Sequence, residues 1–142
     1  MMNMQLRIFI AIVAALFSLS ANAFFSKKPE FLPVEQAFQL SRQGDQLEWR
    51  IAPGYYLYQH SIKAQAADGS KLELELPAGQ DNEDEFFGRT QIYYFGLQVP
   101  LPDKATYPLE VTWQGCADAG LCYPPQTTLI EGATAANASL AE

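Results

Sequence analysis

Three stretches of this chain alternate apolar and polar residues with a period of two, and that alternation limits the possible folds more than any other feature. Leu47, Trp49 and Ile51 alternate with Glu48 and Arg50. Leu72, Leu74 and Leu76 alternate with Lys71, Glu73 and Glu75, and Leu109, Val111 and Trp113 with Glu110 and Thr112. Neighbouring side chains of a strand point to opposite faces, so each stretch reads as a strand with one face in a core and the other in water. Ile62, Ala64 and Ala66 run into Asp68-Gly69, a hairpin signal, ahead of the Leu72 strand. Further strands are expected at Tyr55 to Tyr58, Ile92 to Phe95, Leu97 to Leu101 and Thr127 to Ile130, separated by Pro53-Gly54, Gly96 and Pro102-Asp103. About seven short strands with such turns predict an all-β chain folded as an immunoglobulin-like β-sandwich. One short stretch, Val34 to Leu40, carries a helical spacing.

The two ends read differently. Arg7, the apolar run from Ile8 to Leu19, and the small residues Ala21-Asn22-Ala23 form the pattern of a secretory signal peptide over residues 1–23. An apolar run of about 12 residues is shorter than the roughly 20 that a spanning helix needs. Export, with a chain beginning near Phe24, is therefore expected. Phe24 to Pro33 reads as an extended lead-in, residues 24–131 as one domain, and residues 132–142, rich in Ala, Thr, Asn and Ser, as a flexible linker or tail.

Charge and composition remove several functions. The chain carries a net charge of −7, and the leader holds Arg7 but no acid, so the remainder is more acidic still. Such a surface repels nucleic acid and anionic lipid. Met1, Met2 and Met4 all lie in the leader, which leaves His60 and two cysteines as soft or borderline ligands, too few for a dedicated copper or zinc site. No metal and no cofactor beyond a disulfide is expected. His60 follows an aromatic strand and reads as a surface or turn residue with no assigned role.

The chemistry-bearing residues are Cys116 and Cys122, the only two cysteines. Cys116 ends the Trp113 strand and Cys122 precedes the next, so a bond between them sits at the tip of a hairpin. As a staple it closes about 7 residues, worth roughly 2.4 kcal/mol by chain entropy. It lacks the long spacing of the inter-sheet disulfide of immunoglobulin domains. Spacing alone leaves two readings, a local staple or a redox centre. No Lys, Arg or His lies between Gly115 and Pro125, and Asp118 lies inside the loop, so nothing local stabilises a thiolate. The reduced thiols are expected to be sluggish until a partner docks. A second unusual segment, Asp81-Asn82-Glu83-Asp84-Glu85-Phe86-Phe87-Gly88, sets four acids against two aromatics. It reads as a solvated acidic turn or as a contact surface, and it lacks the Asp and Gly spacing of a calcium loop.

Three motifs then resemble one family. Gln-Gly-Cys-Ala-Asp-Ala-Gly-Leu-Cys-Tyr-Pro-Pro at 114–125, Gly-Tyr-Tyr-Leu-Tyr at 54–58 and Glu-Asp-Glu-Phe-Phe-Gly at 83–88 are similar, in order, to the N-terminal periplasmic domain of the thiol:disulfide interchange protein DsbD. The resemblance runs from about Phe31 to Ile130. It implies a domain whose Cys116-Cys122 dithiol accepts electrons from a C-terminal thioredoxin-like domain and reduces periplasmic disulfide isomerases and the thioredoxin-like protein of cytochrome c maturation. Cys122 would form the mixed disulfide and Cys116 would resolve it. Asp84, Glu85, Phe86, Phe87 and Gly88 would form a cap loop, with Phe86 over the disulfide, and Tyr56 and Tyr58 would flank the active site. Relatives often carry Tyr where this chain has Phe87, which leaves open whether Phe87 shares the cap role. Full-length members continue into a membrane domain, and nothing after Ile130 resembles one. The expectation is a stretch ending in an interdomain linker or a stand-alone relative, tethered to the membrane only through a remainder outside this sequence, and monomeric. The rival functions are an immunoglobulin-like binding or adhesion module with a structural disulfide, and a chaperone-like sandwich offering an edge strand to clients.

Overall fold

The computed structural model describes residues 3–5 and 30–132. The expected leader over 1–23 and tail over 132–142 lie outside these residues, apart from 3–5 and Gly132. The chain divides into Met1–Glu30 and Phe31–Glu142. Of the first unit, residues 4 and 5 are helical.

The second unit is almost entirely β and forms an immunoglobulin-like sandwich. Its strands are β1 (Phe38–Gln43), β2 (Gln46–Ile51), β3 (Tyr55–Tyr58), β4 (Lys63–Gln65), β5 (Lys71–Leu72), β6 (Gln80–Asp84), β7 (Gly88–Tyr94), β8 (Gly96–Pro100), β9 (Leu109–Trp113), β10 (Gly115–Ala117) and β11 (Gln126–Ile130). They pair antiparallel in three sheets, ordered β1-β2-β8, β10-β3-β7-β6 and β11-β9-β4-β5. The alternation predicted for β2 and β9 holds: Leu47, Trp49 and Ile51, and Leu109, Val111 and Trp113, are all buried, and their neighbours stay at least partly wet. Leu47, Val99, Leu109 and Val111 are wholly enclosed between the first and third sheets. Each such side chain contributes about 1.5–3 kcal/mol by leaving water.

Three expectations are corrected. The helix read at Val34 to Leu40 is a single turn, α1 (Val34–Ala37), followed at once by β1. Phe38 is wanted in the core opposite Ile51, and Leu40 pairs Trp49, so long-range pairing overrides a weak local helical spacing. The strand read at Leu72 to Leu76 is paired only at Lys71–Leu72. Leu74 and Leu76 still lean on the core, but this stretch runs along the rim without a ladder partner. Finally, Gln80–Asp84 is not loop but edge strand β6, pairing residue by residue with β7 from Gln80–Ile92 to Asp84–Gly88. Its sequence carries no apolar alternation because both its faces are at least partly wet.

Among the described residues, no helix is long and apolar enough to cross a membrane.

Candidate functional site

Strand β3 is buried along all four residues, which means that both its faces are covered. Tyr55 and Leu57 face the main core, together with Tyr93 and Ala117 of the neighbouring strands. Tyr56 and Tyr58 face the other way and gather with Ile92 and Cys116 into a second, smaller buried cluster, against which Tyr94 and Cys122 pack. The site is built on this second face.

Register brings its members together. Cys116 is paired with Tyr56, and Tyr56 with Tyr94, while Cys122 lies opposite Cys116 as an antiparallel bridge. Directly opposed residues of antiparallel strands share a face, so Cys122, Cys116, Tyr56 and Tyr94 form one row across the sheet. Ladder bonds from the Ala117 N–H to the Leu121 carbonyl and from the Tyr123 N–H to the Gly115 carbonyl flank the cysteine pair. That leaves the cysteines at a non-hydrogen-bonded position, where side chains approach most closely, with Cα atoms 4.0 Å apart and the sulfurs joined in a disulfide. Gly115 lets β10 lie close against Phe38 and β3, because a Cβ there would run into the Phe38 ring and come within 2.7 Å of the Tyr56 carbonyl oxygen.

The two cysteines differ in access. Cys116 is completely buried, with its Sγ 3.4 Å from the Tyr58 hydroxyl oxygen. Cys122 is half-buried at the rim of the hairpin. The Tyr58 hydroxyl donates to Asp84 Oδ2 at 2.6 Å and lies 3.4 Å from the Tyr56 hydroxyl. Asn82 Nδ2 donates to the same carboxylate oxygen at 3.0 Å. The other oxygen of Asp84 accepts the backbone N–H groups of Phe86 and Phe87, both at 2.9 Å. One carboxylate therefore holds the β6–β7 turn closed and ties it to the tyrosine beside the sulfur. The turn ends at Gly88, whose φ of +69° is a left-handed conformation that glycine adopts without strain.

Aromatic packing completes the cover. The Phe87 ring lies edge-on to Tyr58 at 4.8 Å between centroids and 5.0 Å from the ring of His60. His60, on a 3₁₀ turn Gln59–Ser61 directly after β3, also meets Tyr58 at 5.2 Å. The ring contacts of the turn run through Phe87, although Phe86 and Phe87 are both nearly half exposed. On the far side of the row, the Tyr94 hydroxyl donates to Asp118 Oδ1 at 2.7 Å.

The electrostatics follow from burial and these bonds. Burial pushes Asp84 upward, but donation from Tyr58, from the Phe87 and Phe86 N–H groups and from Asn82 outweighs it and holds the carboxyl below the usual range. Burial, then the bond to Asp84, raises Tyr58 far above an ordinary phenol. Burial also raises Tyr56, and burial with the Asp118 bond pushes Tyr94 up to about 12. All three hydroxyls thus keep their protons at neutral pH, and Tyr58 and Tyr94 donate theirs to Asp84 and Asp118.

Of the residues read from the sequence, Cys116, Cys122, Tyr56, Tyr58, Asp84 and Phe87 come together, while Glu85 is exposed beside them. His60, Asn82, Tyr94 and Asp118 also belong to this face and were missed as site residues. The only signal for His60 was its place two residues after Tyr58. Among the described residues, no three His, Cys, Asp or Glu side chains come together as a metal-binding set.

Comparison with known proteins points one way. Residues 28–134 match the family described as "Thiol:disulfide interchange protein DsbD, N-terminal". The chain is 50% identical over 129 residues to the thiol:disulfide interchange protein DsbD of Pseudomonas fluorescens, covering 84% of this chain and 22% of that protein. It is 44% identical over 108 residues to that of Cronobacter sakazakii, covering 71% and 19%. The chain thus spans about a fifth of the length of the curated relatives it matches. Among solved structures it is similar to the Neisseria meningitidis DsbD N-terminal domain in the reduced form, with a TM-score of 0.61 and 38% identity over 72% of this chain and 90% of that one. It is also similar, with a TM-score of 0.55 and 38% identity over 72% and 88%, to a chain in the complex between the DsbD and PilB N-terminal domains of the same organism.

Proposed function

The chain belongs to the family of N-terminal domains of the thiol:disulfide interchange protein DsbD, and on that premise we propose that it is an exported, periplasmic domain passing electrons between proteins through Cys116 and Cys122. The observation that carries this reading is the unequal access of the two sulfurs, one sealed under Tyr58 and the other at the rim. In the dithiol form, the Cys122 thiolate attacks a sulfur of the partner's disulfide. A mixed disulfide forms and one partner thiolate leaves. Cys116 then attacks Cys122, which re-forms the intramolecular disulfide and releases the partner's second thiol. Two electrons and two protons pass to the partner, and the reverse sequence with a reduced donor reloads the pair.

The neighbours have roles in this scheme. Tyr58, within 3.4 Å of the Cys116 sulfur, has its one proton committed to Asp84, so its oxygen accepts from the Cys116 thiol in the dithiol form and holds that buried group in place. Tyr56 fills the gap between Tyr58 and Tyr94. Asp84, Glu85, Phe86, Phe87 and Gly88 form the cap, with Phe87 as its inner anchor and Phe86 as the part a partner meets first. Such a cap favours proteins that can displace the turn over small thiols and oxidants. The donor would be a thioredoxin-like domain of the same protein, and the acceptors would be periplasmic disulfide isomerases and a thioredoxin-like protein of cytochrome c maturation. The remainder of the longer protein would tether the domain to the membrane.

The test is a trapping experiment. The Cys116→Ser variant, with Cys122 free, is mixed with a thioredoxin-fold protein in its disulfide form and run on a non-reducing gel. A covalent complex that reductant dissolves, absent from Cys122→Ser, is expected. Trapping through Cys116 instead would reverse the roles, and no complex from either variant would leave the disulfide a staple.

A further inference from the structure

Phe95 is the least easily explained residue of the fold. It stands 72% exposed and adopts a φ of +65°. A bulky side chain in the left-handed region is strained, and an exposed phenyl ring is unfavourable in water. The backbone here has a structural reason to turn, because β7 and β8 lie in different sheets and Phe95 is the residue between them. Its carbonyl also accepts the Ile51 N–H at 2.9 Å. None of this needs a phenyl ring, and Gly or Asn would make the same turn with less strain. The ring itself is what remains to be accounted for.

Its surroundings supply the account. Phe95 contacts Tyr94 at 6.1 Å, Tyr94 contacts Tyr56 at 5.7 Å, Tyr56 contacts Tyr58 at 5.4 Å, and Tyr58 contacts Phe87 at 4.8 Å. The rings form one unbroken track with an exposed phenylalanine at each end and Cys116 under its middle. We propose that Phe95 is a second docking anchor for the exchange partner, gripping it across the disulfide from the cap. This rests on the exchange reading above.

Scale supports it. A standard interface covers about 800 Å² per partner, a disc of radius roughly 16 Å. Tyr94 is three strands from Cys122, about 14 Å at ordinary strand spacing. A partner whose sulfur reaches Cys122 therefore covers the track as far as Tyr94, and Phe95, the next residue, stands at the margin of that footprint. The occupant that fits is a globular thiol-disulfide protein whose reactive sulfur lies in an apolar patch. A rim carrying cations rather than carboxylates suits it best, because Asp84 and Asp118 border the track and the whole chain is negative.

The test uses Phe95→Asn, which keeps a residue tolerant of the left-handed turn, and Leu129→Asn, which removes an exposed apolar side chain on the third sheet. The reduced chain is mixed with a thioredoxin-fold protein in its disulfide form and the second-order exchange rate is measured. The oxidised chain is separately reduced with dithiothreitol. Phe95→Asn is expected to slow protein exchange about tenfold, the loss typical of an aromatic anchor, with the dithiothreitol rate unchanged and the thermal midpoint no lower than the parent's. Phe95→Trp should restore the rate, and Leu129→Asn should match the parent chain. A protein-exchange rate for Phe95→Asn within twofold of the parent would overturn the anchor while leaving the exchange reading intact. If the parent chain itself leaves the probe's disulfide untouched, the exchange reading falls and the anchor falls with it.

Discussion

The two faces of strand β3 are equally buried and are buried in different ways. Tyr55 and Leu57 are enclosed by whole sheets and by the rings of Phe38 and its neighbours, so exposing them means dismantling the sandwich. Tyr56 and Tyr58 are enclosed by a hairpin, a short turn and a 3₁₀ segment, held largely by one carboxylate and by edge-on aromatic contacts. The first kind of burial is cooperative with the global fold. The second can open alone, because local units with few apolar contacts open at a fraction of the global free energy. A buried sulfur that must meet a partner belongs on the second face.

Mutations should separate the two faces. The largest effect is expected from Leu57→Ala on the core side, a loss of about 2–5 kcal/mol in denaturant unfolding, with exchange per folded molecule preserved. A collapse of exchange in the molecules that remain folded would mean that the faces are coupled. Gly115→Ala pushes a methyl into Phe38 and the Tyr56 carbonyl, an overpacking cost of about 1–3 kcal/mol. Because it acts through the strand that carries Cys116, it should reduce both stability and exchange, which makes it the sharpest probe of where the faces meet.

Smaller effects belong to the cap side. Asp84→Ala removes the acceptor of Tyr58 and of two turn N–H groups, and the turn should open enough to speed reduction by dithiothreitol about tenfold, with global stability down by about 1 kcal/mol. An unchanged rate would show that the aromatic contacts alone keep the cover shut. Tyr58→Phe keeps the ring and loses one bond, so a rise of about threefold is expected in the same assay.

The mildest perturbation is pH. The Asp84 carboxyl sits below its ordinary value in the folded chain, so its stabilisation of the turn is fully present above the unfolded value of about 3.9 and is lost as pH falls through the lower folded value. The ring proton shifts of Phe87, followed by NMR, should stay flat down to about pH 4 and move only below it. Movement already well above that point would show that a group other than Asp84 controls the turn.

Much of this molecule could be read before its coordinates. Alternation located β2 and β9, Asp68-Gly69 located the β4–β5 hairpin, and the cysteine spacing located a hairpin tip. Strands β1 and β6 escaped, and Cys116, read as the end of the Trp113 strand, lies instead on the separate strand β10, which leaves that sheet to pair with β3. Strand β1 hid behind a brief helical spacing, and β6, Gln-Asp-Asn-Glu-Asp, has no apolar pattern because it lies at a wet sheet edge. His60, Tyr94 and Asp118 escaped for another reason. Nothing near them in the chain shows which ring or hydroxyl they will meet.

The sequence by itself determined the fold class, the family, the pair of sulfurs and the acidic aromatic turn, since periodicity and short motifs are local. Only the tertiary structure decided that Cys116 is sealed and Cys122 is at the rim, that Asp84 ties the turn to Tyr58, and that Tyr94 and Phe95 extend the same aromatic track. The physical reason is register. A period of two says which face a side chain takes, but its neighbours across the sheet are set by pairing between strands far apart in the chain.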